Sequence, residues 1–205
     1  KKINIININL LKSKNNKINI ELSKKYITKS FDIAFKLIQE DYSYKLINGP
    51  INKNKFLNKK FLGVTEYIAN KFKEKKFAML IYNKKLSVCP LTTHLPLKLV
   101  SKKITKKLIC EKVIIIDDFY RKNFNFKPKI AVTGLNPHCE SILDYNEDEK
   151  IVSQAIKTLK KKKFIVRGPF PADTLFLKSN IRNFDVVVGM YHDQVLTPVK
   201  TLFEY

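Results

Sequence analysis

The chain has 205 residues, 44% of them hydrophobic, which suits one globular domain or two small lobes with a sizeable core. No stretch reaches the roughly 18 uncharged apolar residues that a membrane helix needs, so a helical membrane protein is excluded. The formal net charge of +22 invites a nucleic-acid reading, but arginine occurs only at 121, 167 and 182, leaving lysine to supply 37 of the 40 basic residues. Nucleic-acid readers lean on arginine forks. Lysines spread along the chain, with runs at 73–76, 102–107 and 160–163, read instead as a solvated surface.

Taken in order, Ile3 to Leu10 alternates Ile with Asn and predicts a strand with one buried face. A Lys/Asn turn at 12–17 and a second strand from Ile18 to Leu22 complete a hairpin or a pair of edge strands. Lys1 and Lys2 precede this alternation rather than a continuous apolar run, so no signal peptide is read here. Thr28 or Ser30 caps a helix through about Glu40, with Phe31, Ala34, Phe35 and Ile38 on its inner face. A short strand from Tyr44 to Ile47 ends at Asn48-Gly49-Pro50. Thr65 caps a helix from Glu66 to Phe72, and Phe77–Tyr82 and Leu86–Leu91 are apolar strands.

A helix from about Thr105 to Tyr120 turns Leu108, Ile109, Val113, Ile116 and Tyr120 inward. Ile130–Thr133 is a strand ending at Gly134. Glu147-Asp148-Glu149 places negative charge on the first turn of a helix through Lys160, whose last turn is basic, and both signs suit the helix dipole. Phe164–Val166 and Val186–Val188 are strands. Strands alternating with helices give an α/β fold, whose ligands collect at the carboxyl ends of strands. Cys89, Cys110 and Cys139 are odd in number and share no CxxC spacing, which points to a reducing cytoplasm.

The three histidines lie in three short stretches: Thr92-Thr93-His94-Leu95-Pro96-Leu97, Gly134-Leu135-Asn136-Pro137-His138 and Met190-Tyr191-His192-Asp193-Gln194. Each follows an apolar, strand-like run and sits at a break beside Pro96, Pro137 or Asp193. Imidazole is the commonest ligand for borderline metals, and three ligands with an open position make a catalytic site. Spacings of 44 and 54 residues exclude a local finger, so any such site is assembled by the fold.

Those three segments, together with Gly168 to Phe176 (GPFPADTLF), resemble in order and rough spacing the signature segments of the 4-hydroxythreonine-4-phosphate dehydrogenase (PdxA) family of vitamin B6 synthesis. Weaker similarity covers Asn48 to Lys53 and Gly63 to Glu66, so the resemblance runs from about residue 45 to 200. It implies a two-lobed α/β/α sandwich similar to isocitrate and isopropylmalate dehydrogenases. Residues 1–205 would form one partial catalytic region with a cleft between lobes. Family members extend further at both ends, and the chain reads as part of a longer protein.

The resemblance further implies NAD-dependent oxidation of 4-phosphooxy-L-threonine to a β-keto acid, which decarboxylates to 3-amino-2-oxopropyl phosphate. The metal ligands would be His94, His138 and His192, holding zinc, magnesium, manganese or cobalt, and three imidazoles argue mildly against magnesium. Asp173 and Asp193 would orient imidazoles or handle the hydroxyl proton, Lys200 would meet the phosphate, and Thr65 would bind substrate. Asn136 would fix the loop that carries His138. A homodimer with the metal site near its interface is expected, without nucleic acid or membrane as partner. The five glycines, at 49, 63, 134, 168 and 189, form no GxGxxG, so the cofactor rests on the resemblance alone.

The chain departs from the family pattern in places. Val64 stands where the family has a histidine, which removes one substrate contact and keeps threonate or erythronate 4-phosphate open as the substrate. An inactive relative that retains the metal site is the other alternative. Cys139-Glu140-Ser141-Ile142-Leu143 replaces a glycine-rich stretch, and Val195 replaces a glycine.

Overall fold

A computed structural model describes residues 3–9, 19–42, 45–57, 60–61, 63–140 and 145–204. Its elements are α1 (Ile20–Gln39), α2 (Lys53–Leu57), α3 (Val64–Lys71), β1 (Ser87–Thr92), α4 (Val100–Lys103), α5 (Lys106–Phe124), β2 (Ile130–Thr133), α6 (Gln154–Lys161), β3 (Val166–Phe170), α7 (Ala172–Leu175), α8 (Lys178–Ile181), β4 (Val186–Tyr191) and α9 (His192–Phe203). A turn of π-helix, Asp148–Ser153, leads into α6. The chain divides into two compact units, residues 1–68 and 69–205.

The first unit is built on α1. Its start is fixed by Asn19, whose side-chain oxygen accepts the backbone N–H groups of Glu21 and Leu22 at 2.9 and 3.2 Å. Phe31 and Phe35, four apart on one face, are buried. Phe31 stacks on Phe56 at 5.7 Å, and Tyr67 meets Phe31, Phe56 and Phe61 edge-on at 5.2–5.5 Å.

The second unit is a four-stranded sheet in the order β1-β4-β2-β3, with every named pair parallel. Parallel strands buried on both faces read as near-continuous apolar runs, and Val186-Val187-Val188 is such a run. The pleat sends alternate residues to opposite faces. Cys89, Leu91, Ile130, Val132, Val186 and Val188 pack on Ile109, Val113 and Ile116 of α5 and on Ala155, Ile156 and Leu159 of α6. Val88, Ala131 and Val187 pack on Leu175 and Ile181 of α7 and α8 and on Val195, Leu196 and Val199 of α9. Helices therefore cover both faces of a parallel sheet, the α/β class expected, with an α/β/α layering inside this unit.

Several elements are as the sequence predicts. β2 spans the expected residues; α5 begins at its Thr105 cap, whose hydroxyl accepts the Leu108 N–H at 3.1 Å, and buries Ile109, Val113, Ile116 and Tyr120. Leu108 is only half-buried. Others are corrected. Residues 3–9 form no strand, and Ile3 and Ile5 are exposed; no described strand pairs with them, and alternation without a partner does not hold a strand. Leu10 and the turn at 12–17 lie outside the described residues. Residues 20–22 open α1 instead of forming a strand, because Asn19 caps the helix eight or more residues before Thr28; Ser30, inside it, bonds back to the Tyr26 carbonyl at 2.9 Å.

Residues 45–50 carry no strand, and Ile47 is exposed; Tyr44 lies outside the described residues. Phe77–Tyr82 reduces to a single antiparallel bridge between Ile81 and Val88, since Ala78 and Leu80 bind the core through side chains alone. Thr65 is the second residue of α3, not its cap; Gly63 precedes the helix and its carbonyl accepts the Tyr67 N–H. β3 starts at Val166, where the predicted strand ends, and runs through Gly168-Pro169. Proline supplies no ladder N–H and is tolerated because β3 is an edge strand.

Ile109 is fully buried between α5 and the sheet. Ile109→Ala is expected to lower unfolding stability by about 2–5 kcal/mol, read from the urea midpoint at unchanged slope; a change under about 0.5 kcal/mol would contradict this packing.

Candidate active site

Parallel pairing brings all four carboxyl strand ends to one edge. In spatial order, β1 leads two residues on to His94, β4 directly to His192, β2 five residues on to His138, and β3 three residues on to Asp173. Short polar bonds tie these ends together. The Thr92 hydroxyl donates to the Met190 carbonyl at 2.8 Å, joining β1 to β4. The Gln194 amide joins β4 to β2: its oxygen accepts the Met190 N–H at 2.7 Å and the Thr133 hydroxyl at 2.8 Å, and its nitrogen donates to the Gly134 carbonyl at 2.8 Å.

His94 and His192 come together. Their ring centroids lie 6.2 Å apart at an interplanar angle of 36°. Two imidazoles bonded tetrahedrally to one ion at about 2.0–2.1 Å per nitrogen would place their centroids roughly 5 Å apart, so the two rings stand about 1 Å wider than such a pair. His192 Nδ1 lies 2.7 Å from an Asp193 carboxylate oxygen. A carboxylate only accepts, so Nδ1–H donates in this contact. Asp193 is 79% exposed at its side chain, so this contact orients the ring more than it stabilises the fold.

His138 is delivered by a separate device. The loop after β2 is held by Asp148, which is completely buried. One carboxylate oxygen accepts the Leu135 N–H at 2.6 Å, and the other accepts the Asn136 N–H at 2.9 Å and its side-chain amide at 3.1 Å. That amide also donates to Glu147 at 3.1 Å. Asn136 thus fixes the loop as the sequence suggests, and Asp148 is the partner that reading missed. Gly134 leaves the space: a Cβ there would lie 2.6 Å from Cys139 Sγ and 3.1 Å from Asp148. Beyond the clasp, His138 and Cys139 both take left-handed conformations, at φ 56° and 60°. Among the described residues, no three His, Cys, Asp or Glu side chains of the one chain form a metal-ligating group. His138 is placed at the same sheet edge without joining the His94–His192 pair in such a group.

Burial pushes the Cys139 thiol up to about 11; the Asp148 charge, then those of Asp173 and Glu140, push the same way, against a hydrogen bond with the Gly134 backbone. Asp173 is therefore within electrostatic reach of the His138 loop. Asp173 itself is exposed in the first turn of α7, where its carboxylate accepts the Thr174 N–H at 2.9 Å. Lys200 is exposed in the last turn of α9, eight residues beyond His192, or about 12 Å along the axis. Thr65 belongs to the unit of residues 1–68 and is half-buried. Asp148 and Gln194 carry no signal of their own in sequence: one hides in an acidic run that reads as helix-dipole charge, and the other lies inside a recognised motif without an assigned role.

The family model described as pyridoxal phosphate biosynthetic protein PdxA matches residues 1–204. A 4-hydroxythreonine-4-phosphate dehydrogenase of Sulfurihydrogenibium sp. (strain YO3AOP1) is 39% identical over 173 residues, covering 82% of this chain and 53% of that protein. One from Hydrogenobaculum sp. (strain Y04AAS1) is 41% identical over 165 residues, covering 77% of this chain and 51% of that protein. The crystal structure of 4-hydroxythreonine-4-phosphate dehydrogenase from Klebsiella pneumoniae is similar with a TM-score of 0.76 and 32% identity, covering 91% of this chain and 57% of that one. The chain spans about half the length of the curated relatives it matches.

Asp148→Ala removes the acceptor from two backbone N–H groups and the Asn136 amide. It should cost on the order of 1–3 kcal/mol or more of stability and speed amide exchange at Leu135 and Asn136; unchanged exchange there would dismiss the clasp. A second expectation concerns Cys139. With its thiol raised to about 11, its thiolate at pH 8.5 should be roughly a hundredfold scarcer than that of an ordinary cysteine. Alkylation by iodoacetamide should be slower by about that factor and accelerate toward pH 11, and labelling at the rate of a free thiol would contradict it.

Proposed function

The chain belongs to the family of the pyridoxal phosphate biosynthetic protein PdxA, and we propose that the protein it comes from oxidises 4-phosphooxy-L-threonine with NAD and a divalent metal. The observation that carries this reading is the pair of imidazoles, His94 and His192, 6.2 Å apart where β1 and β4 end, with the His138 loop and Asp173 at the same edge. His94, His192 and His138 would hold the cation, completed by a second copy of the chain in the homodimer we propose. Held there, a divalent ion would supply Lewis acidity, which favours loss of a substrate hydroxyl proton and polarises a carbonyl.

The protein's own residues do the rest. Asp193 holds the His192 ring through Nδ1, which leaves Nε2 as the nitrogen we assign to the cation. Asp173, exposed in the first turn of α7 just beyond β3, is the carboxylate we assign to the hydroxyl proton. Lys200 offers a point charge to the phosphate, while a substrate role for Thr65 rests on the resemblance alone. Oxidation at C3 leaves a β-keto acid, which loses carbon dioxide to give 3-amino-2-oxopropyl phosphate.

NAD rests on the resemblance. In the second unit Gly134, Gly168 and Gly189 are each closed over by neighbouring atoms and offer no glycine cradle for a pyrophosphate. We derive no step through it. We place the protein in the cytoplasm, consistent with three free cysteines and with no described helix long and apolar enough to cross a membrane.

Val64, the first residue of α3, supports a second substrate reading. A valine offers no hydrogen bond where the family has a histidine, and threonate or erythronate 4-phosphate would need a different contact there.

The test uses the full-length, metal-loaded protein with NAD and each phosphorylated acid in turn. NADH should form fastest with 4-phosphooxy-L-threonine, and His94→Ala or His192→Ala should lower kcat/KM by at least a hundredfold, about 2.7 kcal/mol of transition-state stabilisation. Faster turnover of a sugar-acid phosphate would shift the substrate, and no NADH from any of them would identify an inactive relative.

A further inference from the structure

We propose that Gln194 is a positioning residue that locks the His192 turn to the mouth of the His138 loop. The inference rests on the reading that these histidines form the site. Gln194 lies in the first turn of α9, two residues after His192. Its side chain does not point at the histidines. It turns back into the sheet and uses three of its hydrogen-bonding positions on two strands. The Met190 N–H and Thr133 hydroxyl donate to its oxygen, and its nitrogen donates to the Gly134 carbonyl. Met190 leads into His192, and Gly134 opens the loop to His138. Each end of this one amide therefore holds a segment that delivers an imidazole.

The sequence makes room for it. A Cβ on Gly189 would lie 3.1 Å from the Gln194 oxygen and 2.3 Å from Val195 Cγ1, so only glycine at 189 lets α9 start this close to the sheet. The bonds also require an amide. Its oxygen meets two donors, while its nitrogen faces a carbonyl. A glutamate would keep the first two bonds and set a negative oxygen against the Gly134 carbonyl. His94 stands outside this arrangement, because β1 is joined to β4 by the Thr92 hydroxyl instead.

The experiment compares full-length wild-type protein with Gln194→Ala and Gln194→Glu. The first readout needs no metal: the ring proton resonances of the three histidines and the exchange rate of the Met190 amide. Both variants should move the His138 and His192 resonances more than that of His94, and speed Met190 exchange. The second readout is the dissociation constant for zinc, which should weaken about 10- to 100-fold, as it does when groups that orient ligands are lost. In Gln194→Glu, relative to wild type at each pH, zinc affinity should recover as pH falls, because a protonated carboxyl again donates to Gly134. A residue that only stabilises the fold would lower the melting temperature without this pH-dependent ratio. Unmoved His138 and His192 resonances, or unchanged zinc affinity beside a wild type that binds zinc, would overturn the proposal. If wild type binds no zinc but both resonances move in the variants, the lock stands and the metal reading under Proposed function fails. Should Gln194→Ala fail to fold, Gln194→Glu at neutral pH, set against the same variant at low pH, carries the comparison.

Discussion

β4 is hydrogen-bonded on both sides, to β1 and to β2, and in both pairings the strands run parallel. The site follows from that constraint. Parallel strands need crossovers of a dozen or more residues, so segments far apart in sequence emerge side by side. His94 and His192 are 98 positions apart in the chain, yet their rings approach to 6.2 Å because β1 and β4 are neighbours in register, Thr92 opposite Tyr191. A one-residue slip would send every side chain of the strand to the other face. The burial of Val88, Cys89, Val187 and Val188 at 0% exposure on alternating faces makes that slip costly. The apolar core thus sets the distance between two polar groups that it never touches.

How much of this the sequence shows depends on the range of the forces involved. β2, β1 and α5 were legible because their own patterns decide them: a short apolar run, or Ile109, Val113, Ile116 and Tyr120 at helical spacing behind the Thr105 cap. The Ile and Asn of residues 3–9 alternate except at Ile5-Ile6, where the phase slips, and they form no strand; pairing partners lie outside the window that reveals such a pattern. α9 was missed for the opposite reason. Pro198 lies inside it, where proline normally ends a helix, and the buried Val195, Leu196 and Val199 hold the helix against the sheet regardless.

The histidines were legible as candidates because each sits in a recognisable segment, whereas the groups that place them were not. Asp148 looks like any acid in Glu147-Asp148-Glu149 until the loop from Leu135 folds over it. Charge suited to a helix dipole is a reading that treats the three acids alike, whereas Glu149 is exposed and Asp148 completely buried. Burial separates the two residues, and burial is a property of the fold.

The clasp at Asp148 also explains how this chain tolerates its departure from the family's glycine-rich stretch. His138 and Cys139 occupy left-handed backbone at φ 56° and 60°, and neither is glycine. Two such residues cost roughly 1–2 kcal/mol each. Asp148 makes two bonds to backbone N–H groups and one to the Asn136 amide, and bonds to a charged group contribute about 1.5–3 kcal/mol apiece. The clasp is therefore large enough to offset the strain immediately beyond it. A loop closed by a buried carboxylate can present an imidazole from strained backbone without glycine to relieve it. Gly134 remains indispensable, because its missing Cβ is the space in which Cys139 and Asp148 meet.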